Sequence, residues 1–297
     1  MTDPVETAKK RIVELEQELF LKENQLQSYR LQLTKTNQQL EKMIYQVSQE
    51  LKMASLIQKV LSPTELPRIS GFEFSTKFVS GSKQGGDYFD IFEHDDRMRF
   101  GILLSSSSGY SMSALFLSIL MKISSRIESR NGLSPSESLL KIHNEMKAHL
   151  GEQDRASLFY GLVDKRTYEI HFASIGNLTI FRQSVGHESL EVLENQGPPL
   201  SKDFNTELRT QVLALDSKDR LIMCSEGVTQ AKSPQGEVWG ASRLIEAIRS
   251  APKSGVHELR NEILFRLEKF VGNTEPVRDL TVVVMEVKDR VIKLAKQ

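Results

Sequence analysis

The chain has 297 residues, and its 39 Lys and Arg residues balance its 39 Asp and Glu residues. A formal net charge of zero gives no electrostatic basis for binding nucleic acid or an anionic membrane surface. No stretch approaches the roughly 18 uninterrupted apolar residues of a membrane span, and a single cysteine, Cys224, excludes an internal disulfide; both observations favour the cytoplasm.

The first 62 residues predict a long helix that pairs with another helix. Residues 7–60 contain neither Gly nor Pro, and apolar residues recur at every seventh position. Lys22, Thr36 and Glu50 interrupt the second seam, but a sustained heptad is the pattern of a coiled coil. We expect a parallel homodimer, with a single helix packed on its own domain as the alternative. The predicted dimer seam consists of Ile12, Leu19, Leu26, Leu33, Leu40, Val47, Ala54 and Leu61.

Residues 63–288 predict one globular α+β domain, and residues 289–297 a short basic tail with a frayed end. Short strands joined by hairpins, with helix pairs inserted and no strict βαβ alternation, indicate layered sheets and helices. Ser134-Pro135-Ser136-Glu137 fits a capping box at a helix start. Strands are predicted at 72–79, 98–104, 157–163, 168–174, 178–182, 190–193, 208–213, 220–224 and 280–287, and helices at 112–127, 136–150, 241–250 and 256–271.

The motif with the most chemical content is Gly85-Gly86-Asp87, where two glycines permit a tight turn and a carboxylate follows at once. Alone, it is equally consistent with a β-turn that carries a solvated Asp. Further motifs follow it in order: Ser108-Gly109-Tyr110-Ser111, Ser225-Glu226-Gly227-Val228, Gly236-Glu237-Val238-Trp239-Gly240 and Arg278-Asp279-Leu280-Thr281.

In this order the motifs resemble the SpoIIE-type, or RsbU-like, branch of the PPM metal-dependent serine/threonine phosphatases, over residues 53–287. The resemblance implies an αββα sandwich, in which helices flank two antiparallel sheets, preceded here by the long N-terminal coiled-coil helix. It also implies two Mn²⁺ or Mg²⁺ ions held by four carboxylates. The ligand positions fall on Asp87, Ser106, Glu226 and Arg278, and the other motif residues are Gly85, Gly86, Gly109, Gly227 and Asp279.

Two of the four ligand positions, Ser106 and Arg278, carry no carboxylate. With Asp87, Glu226 and Arg278 the set keeps one net negative charge, too little to offset two divalent ions. A guanidinium can bridge two carboxylates, so Arg278 is expected to replace the metal as counter-ion to Asp87 and Glu226. A one-residue slip that places Asp279 in the fourth position is the alternative.

The resemblance therefore favours a pseudophosphatase: a catalytically inactive, dimeric signalling regulator that needs no cofactor. Its expected partner is a cytoplasmic signalling protein of the partner-switching kind, such as a phosphoprotein resembling an anti-sigma-factor antagonist. One alternative is an active Mn²⁺- or Mg²⁺-dependent phosphatase that uses Asp87 and Glu226, supplemented by Asp90 or Asp279. The other is a mainly structural coiled-coil protein.

Overall fold

The computed structural model describes residues 4–61, 66–82, 86–94, 96–108, 132–184, 189–253 and 255–288. The chain divides into two compact units, residues 1–53 and 54–297. The helix predicted over 112–127 lies outside the described residues, as do Gly85, Gly109 and the tail 289–297.

Helix α1 spans Pro4–Leu61, which confirms the long N-terminal helix. Its interior holds no Gly or Pro, so no residue interrupts the i→i−4 hydrogen bonds. In the single chain, the seam side chains from Ile12 to Val47 are all more than half exposed. Pairing through this seam remains a prediction. No helix in the described part of the chain is both long enough and apolar enough to span a bilayer.

The second unit contains two antiparallel five-stranded sheets in its described residues. The strands are β1 (Phe72–Val79), β2 (Asp87–Glu93), β3 (Arg99–Ser108), β4 (Arg155–Asp164), β5 (Glu169–Ile175), β6 (Thr179–Ser184), β7 (Ser189–Leu193), β8 (Gln211–Ala214), β9 (Arg220–Cys224) and β10 (Leu280–Val287). One sheet has the order β1-β10-β9-β6-β7, and the other has the order β2-β3-β4-β5-β8.

The described helices of this unit cover the outer faces of the two sheets. They are α2 (Pro135–Met146, continued by a 3-10 turn Lys147–His149), α3 (Glu226–Gln230), α4 (Gly240–Ser250) and α5 (Val256–Val271). Apolar side chains of α4 and α5 form one cluster with β9 and β10, and those of α2 form another with β3, β4 and β5.

The two sheets pack face to face over a shared apolar core. Phe72 and Phe74 of β1 meet Phe100 of β3 across this interface, with ring centroids 4.8 and 5.7 Å apart. Inner faces that bury large aromatic rings are the main source of stability in such sandwiches. The predicted αββα sandwich is therefore confirmed.

Several local predictions hold, and others need correction. Ser134 and Glu137 form the expected capping box on α2, and β10 is flanked by β1 and β9 with both faces buried. Strand β2 was not predicted, and α2 ends at Met146 rather than at residue 150. The strand predicted over 208–213 begins only at Gln211, because the Gln196 side chain bonds both the N–H and the C=O of Arg209.

Candidate functional site

The candidate site lies where the start of β2 meets β3 and the start of β10. Asp87 is the first residue of β2 and stands directly opposite Ser106 of β3 in the strand register. Thr281 of β10 donates its hydroxyl to Asp87 Oδ2 at 2.8 Å. The Asp87 side chain is almost completely buried, so this carboxyl group is part of the domain interior.

Asp279 ties three backbone segments together at this point. Its Oδ1 accepts a hydrogen bond from the N–H of Gly81, and its Oδ2 accepts from the N–H groups of Gly86 and Asp87, at 2.8, 2.8 and 3.1 Å. Ser225 accepts from the N–H of Thr281 at 3.0 Å, which joins the end of β9 to the same place. Asp279 therefore acts as a buried anchor for the backbone around Asp87.

Two buried carboxyl groups stand side by side as a result. Burial and the nearby Asp279 carboxylate raise the pKa of Asp87 to about 7, although the hydroxyl groups of Ser106, Ser225 and Thr281 lower it. Near neutral pH the protein therefore holds part of its Asp87 population protonated, and the site carries less negative charge than its sequence suggests.

Arg278 forms its ion pair with a carboxylate other than Asp87 and Asp279. Its Nη1 lies 2.7 Å from Oε2 of Glu226, the first residue of α3, and both side chains are partly exposed. Among the described residues this is the ion pair that Arg278 makes. Arg278 was expected to bridge Glu226 and Asp87, but only its ion pair with Glu226 is present. Hydroxyl groups and the neighbouring Asp279 surround Asp87 instead.

Glycines allow the backbone to pack this closely. A Cβ atom on Gly227 would collide with the carbonyl oxygen of Asp279, and one on Gly81 would collide with the backbone of Arg278 and Asp279. Any larger residue at either position would push the Arg278–Asp279 segment away from α3 or from the end of β1. Gly227, a predicted motif residue, thus keeps Glu226 within reach of Arg278.

The predicted residues do not all converge. Asp87, Ser106, Glu226, Arg278 and Asp279 are brought together around the starts of β2 and β10. Asp90 is not, because strand alternation turns it to the opposite face of β2, where the hydroxyl of Tyr88 donates to it at 2.9 Å. Trp239 is buried in the α4–α5 cluster, as expected for a core residue.

Comparison with known proteins decides the family. The model of the SpoIIE family, described as Stage II sporulation protein E, matches residues 96–288. The chain belongs to the SpoIIE family. Protein IcfG of Synechocystis sp. is 22% identical over an alignment of 265 positions that covers 80% of this chain and 41% of IcfG. The chain thus spans about two fifths of the length of that relative.

Solved structures agree on the fold of this SpoIIE-family chain. The SiaA-PP2C domain of Pseudomonas aeruginosa superposes with a TM-score of 0.65 at 18% identity, over 82% of this chain and 97% of that domain. The RsbU and RsbW domains of Rv1364c from Mycobacterium tuberculosis give a TM-score of 0.64 at 17% identity, over 76% of this chain and 64% of theirs. At such identities the likeness establishes a PP2C, or PPM, fold.

A PPM fold implies bound Mn²⁺ or Mg²⁺, but the residues present here do not fit a pair of divalent ions. Such ions need several free oxygen ligands. Both oxygens of Asp279 accept backbone N–H groups, Glu226 is paired with Arg278, and Ser106 offers a neutral hydroxyl. Within the described part of the chain, no group of three or more His, Cys, Asp or Glu side chains is arranged to hold a metal ion.

Proposed function

We propose that this SpoIIE-family chain is a pseudophosphatase: a signalling regulator that binds a partner protein and does not hydrolyse phosphoesters. The observation that carries the proposal is the ion pair between Arg278 and Glu226. It occupies two of the four positions at which the family resemblance expects metal-binding carboxylates. A fixed guanidinium repels divalent cations and takes up the oxygen that one of them would need.

The chemistry of a PPM phosphatase depends on the metal pair, which supplies the nucleophilic hydroxide and neutralises the phosphate. Each of these contributions is worth several kcal/mol of barrier lowering. In this chain Asp87 is buried and bonded to Thr281, and Asp279 holds backbone N–H groups. In their present arrangement both carboxyl groups are engaged by hydrogen-bond donors of the fold.

The expected result is no Mn²⁺-dependent hydrolysis of p-nitrophenyl phosphate by the full chain, because the metal pair cannot assemble. Millimolar Mn²⁺ should also leave the melting temperature unchanged within about 1 °C, since only a ligand that binds the native state raises it. Turnover above background that Asp87→Ala abolishes would contradict the proposal. It would establish the alternative, an active Mn²⁺- or Mg²⁺-dependent phosphatase that uses Asp87 and Glu226.

We further propose that the chain forms a homodimer through α1 and presents its PPM domain to a phosphorylatable partner-switching protein. Two features support this assembly: the uninterrupted column of apolar residues and its exposure in the single chain. Two-fold dimers are the commonest closed assemblies. A binding role needs only the surface of the domain, which survives the loss of the metal ligands.

The combined substitution Leu26→Glu and Leu33→Glu should weaken the dimer by at least about a hundredfold, because each buried Leu contributes ~1.5–3 kcal/mol. Light scattering on the full chain should give twice the mass of one chain for the natural protein and a single-chain mass for the variant. Leu31→Glu is the matched control, since Leu31 is 60% exposed and lies off the seam. A natural protein that is monomeric would refute the assembly.

A further inference from the structure

An apolar cleft of about 560 Å³ lies beside the candidate site, between the second half of α5, α3, the loop 272–279 and the start of β10. Leu264, Leu267 and Val271 line it from α5 at spacings of three and four, which places them on one helix face. Val277 forms part of the opposite wall and is 51% exposed. A volume of this size is within the usual range for ligand-binding clefts.

The charges around the cleft select a cationic occupant. Glu226 and Arg278 both line the cleft and neutralise each other. The lining also contains the exposed Glu268 and Glu275 against the exposed Lys232, which leaves one net negative charge. An occupant with an apolar face and several basic residues would therefore be complementary to both the walls and the rim.

Residues 289–297, which follow the described part of the chain, have this character in sequence. At helical periodicity the apolar residues share one face, and the basic residues, together with Asp289, lie on the other, which leaves the segment a net charge of +2 from its side chains. The apolar set is Val291, Ile292, Leu294 and Ala295, and the basic set is Arg290, Lys293 and Lys296.

We propose that the cleft binds this segment from a second copy of the chain. Leu280, at the cleft, and Val287, where the segment departs, are the two ends of the eight-residue strand β10. At about 3.3 Å per residue that strand is roughly 23 Å long. If bound as a helix, nine residues would span only ~14 Å, which is less than the length of that strand and favours a second copy as the source. The proposal is independent of whether the chain hydrolyses phosphoesters.

A fluorescein-labelled peptide of residues 287–297, titrated into the full chain and followed by fluorescence polarisation, tests this proposal. We expect saturable binding that weakens at least about tenfold in Val277→Lys and at least about threefold in Glu275→Lys, as the occupant loses an apolar contact or meets a like charge. The matched controls are Val192→Lys, at a residue 52% exposed outside the cleft, and the exposed Glu207→Lys. Both should bind the peptide within twofold of the natural protein.

Three results would overturn the inference. The first is the absence of saturable binding at millimolar protein. The second is unchanged affinity in Val277→Lys with circular dichroism equal to that of the natural protein, which would place the peptide elsewhere. The third is partition of the peptide onto phosphatidylglycerol vesicles without binding to the protein, which would assign the segment to a membrane surface.

Discussion

Asp279→Ala should lower the free energy of unfolding by about 3–6 kcal/mol, because it leaves three backbone N–H groups without their acceptor and each such loss costs ~1–3 kcal/mol. The affected groups belong to Gly81, Gly86 and Asp87. Removal of the carboxylate also relieves repulsion against Asp87, which offsets part of the loss once Asp87 is ionised. Urea denaturation at fixed pH measures the change.

The free energy of unfolding of Asp279→Asn should lie between those of the natural protein and of Asp279→Ala. Its amide oxygen can still accept from Gly86 and Asp87, but its NH₂ group would face the N–H of Gly81. The neighbouring Arg278→Ala is the control and should cost no more than about 1 kcal/mol, since its ion pair with Glu226 is partly exposed. A loss below about 1 kcal/mol in Asp279→Ala would mean that Asp279 does not anchor the backbone.

Much of the fold could be predicted because the relevant signals are local. Helix α5 and the strands β1, β9 and β10 begin and end at the predicted residues, each marked by a clear change in apolar pattern. Strand β2 was missed for a physical reason. Asp87 and Asp90 are both buried, one on each face, so the strand shows no simple alternation of apolar and polar residues.

The contacts of the candidate site could be predicted only in part. The opposite charges of Glu226 and Arg278 made a counter-ion pair foreseeable once family positions were assigned. The anchoring role of Asp279 was not foreseeable, because it depends on N–H groups almost 200 residues earlier in the chain. In sequence, an Asp that accepts backbone N–H groups looks the same as one that binds a metal. The hydrogen bonds of the Gln196 side chain to the N–H and C=O of Arg209 were missed for the same reason.

Ser106→Asp combined with Arg278→Asp should create the Mn²⁺ affinity that we expect the natural protein to lack. The change removes the cation beside Glu226 and supplies carboxylates at the two positions that lack them, one of them directly opposite Asp87. Without metal, the variant should be less stable than the natural protein, because it gathers like charges around buried Asp87. With Mn²⁺ at about 100 times its dissociation constant it should gain roughly 2.7 kcal/mol, or about 5–10 °C in melting temperature.

Differential scanning calorimetry with Mn²⁺ and with EDTA measures this difference. Adding Asp87→Ala to the double variant should abolish the Mn²⁺ response, since the most buried of the four ligands is then missing. Ser106→Asp alone should also fail to respond, because Arg278 still neutralises Glu226. If the double variant shows no Mn²⁺-dependent gain, loss of the two carboxylates is not what separates this chain from a metal-binding PPM domain. The explanation would then shift to Asp279, whose two oxygens are already committed to backbone N–H groups.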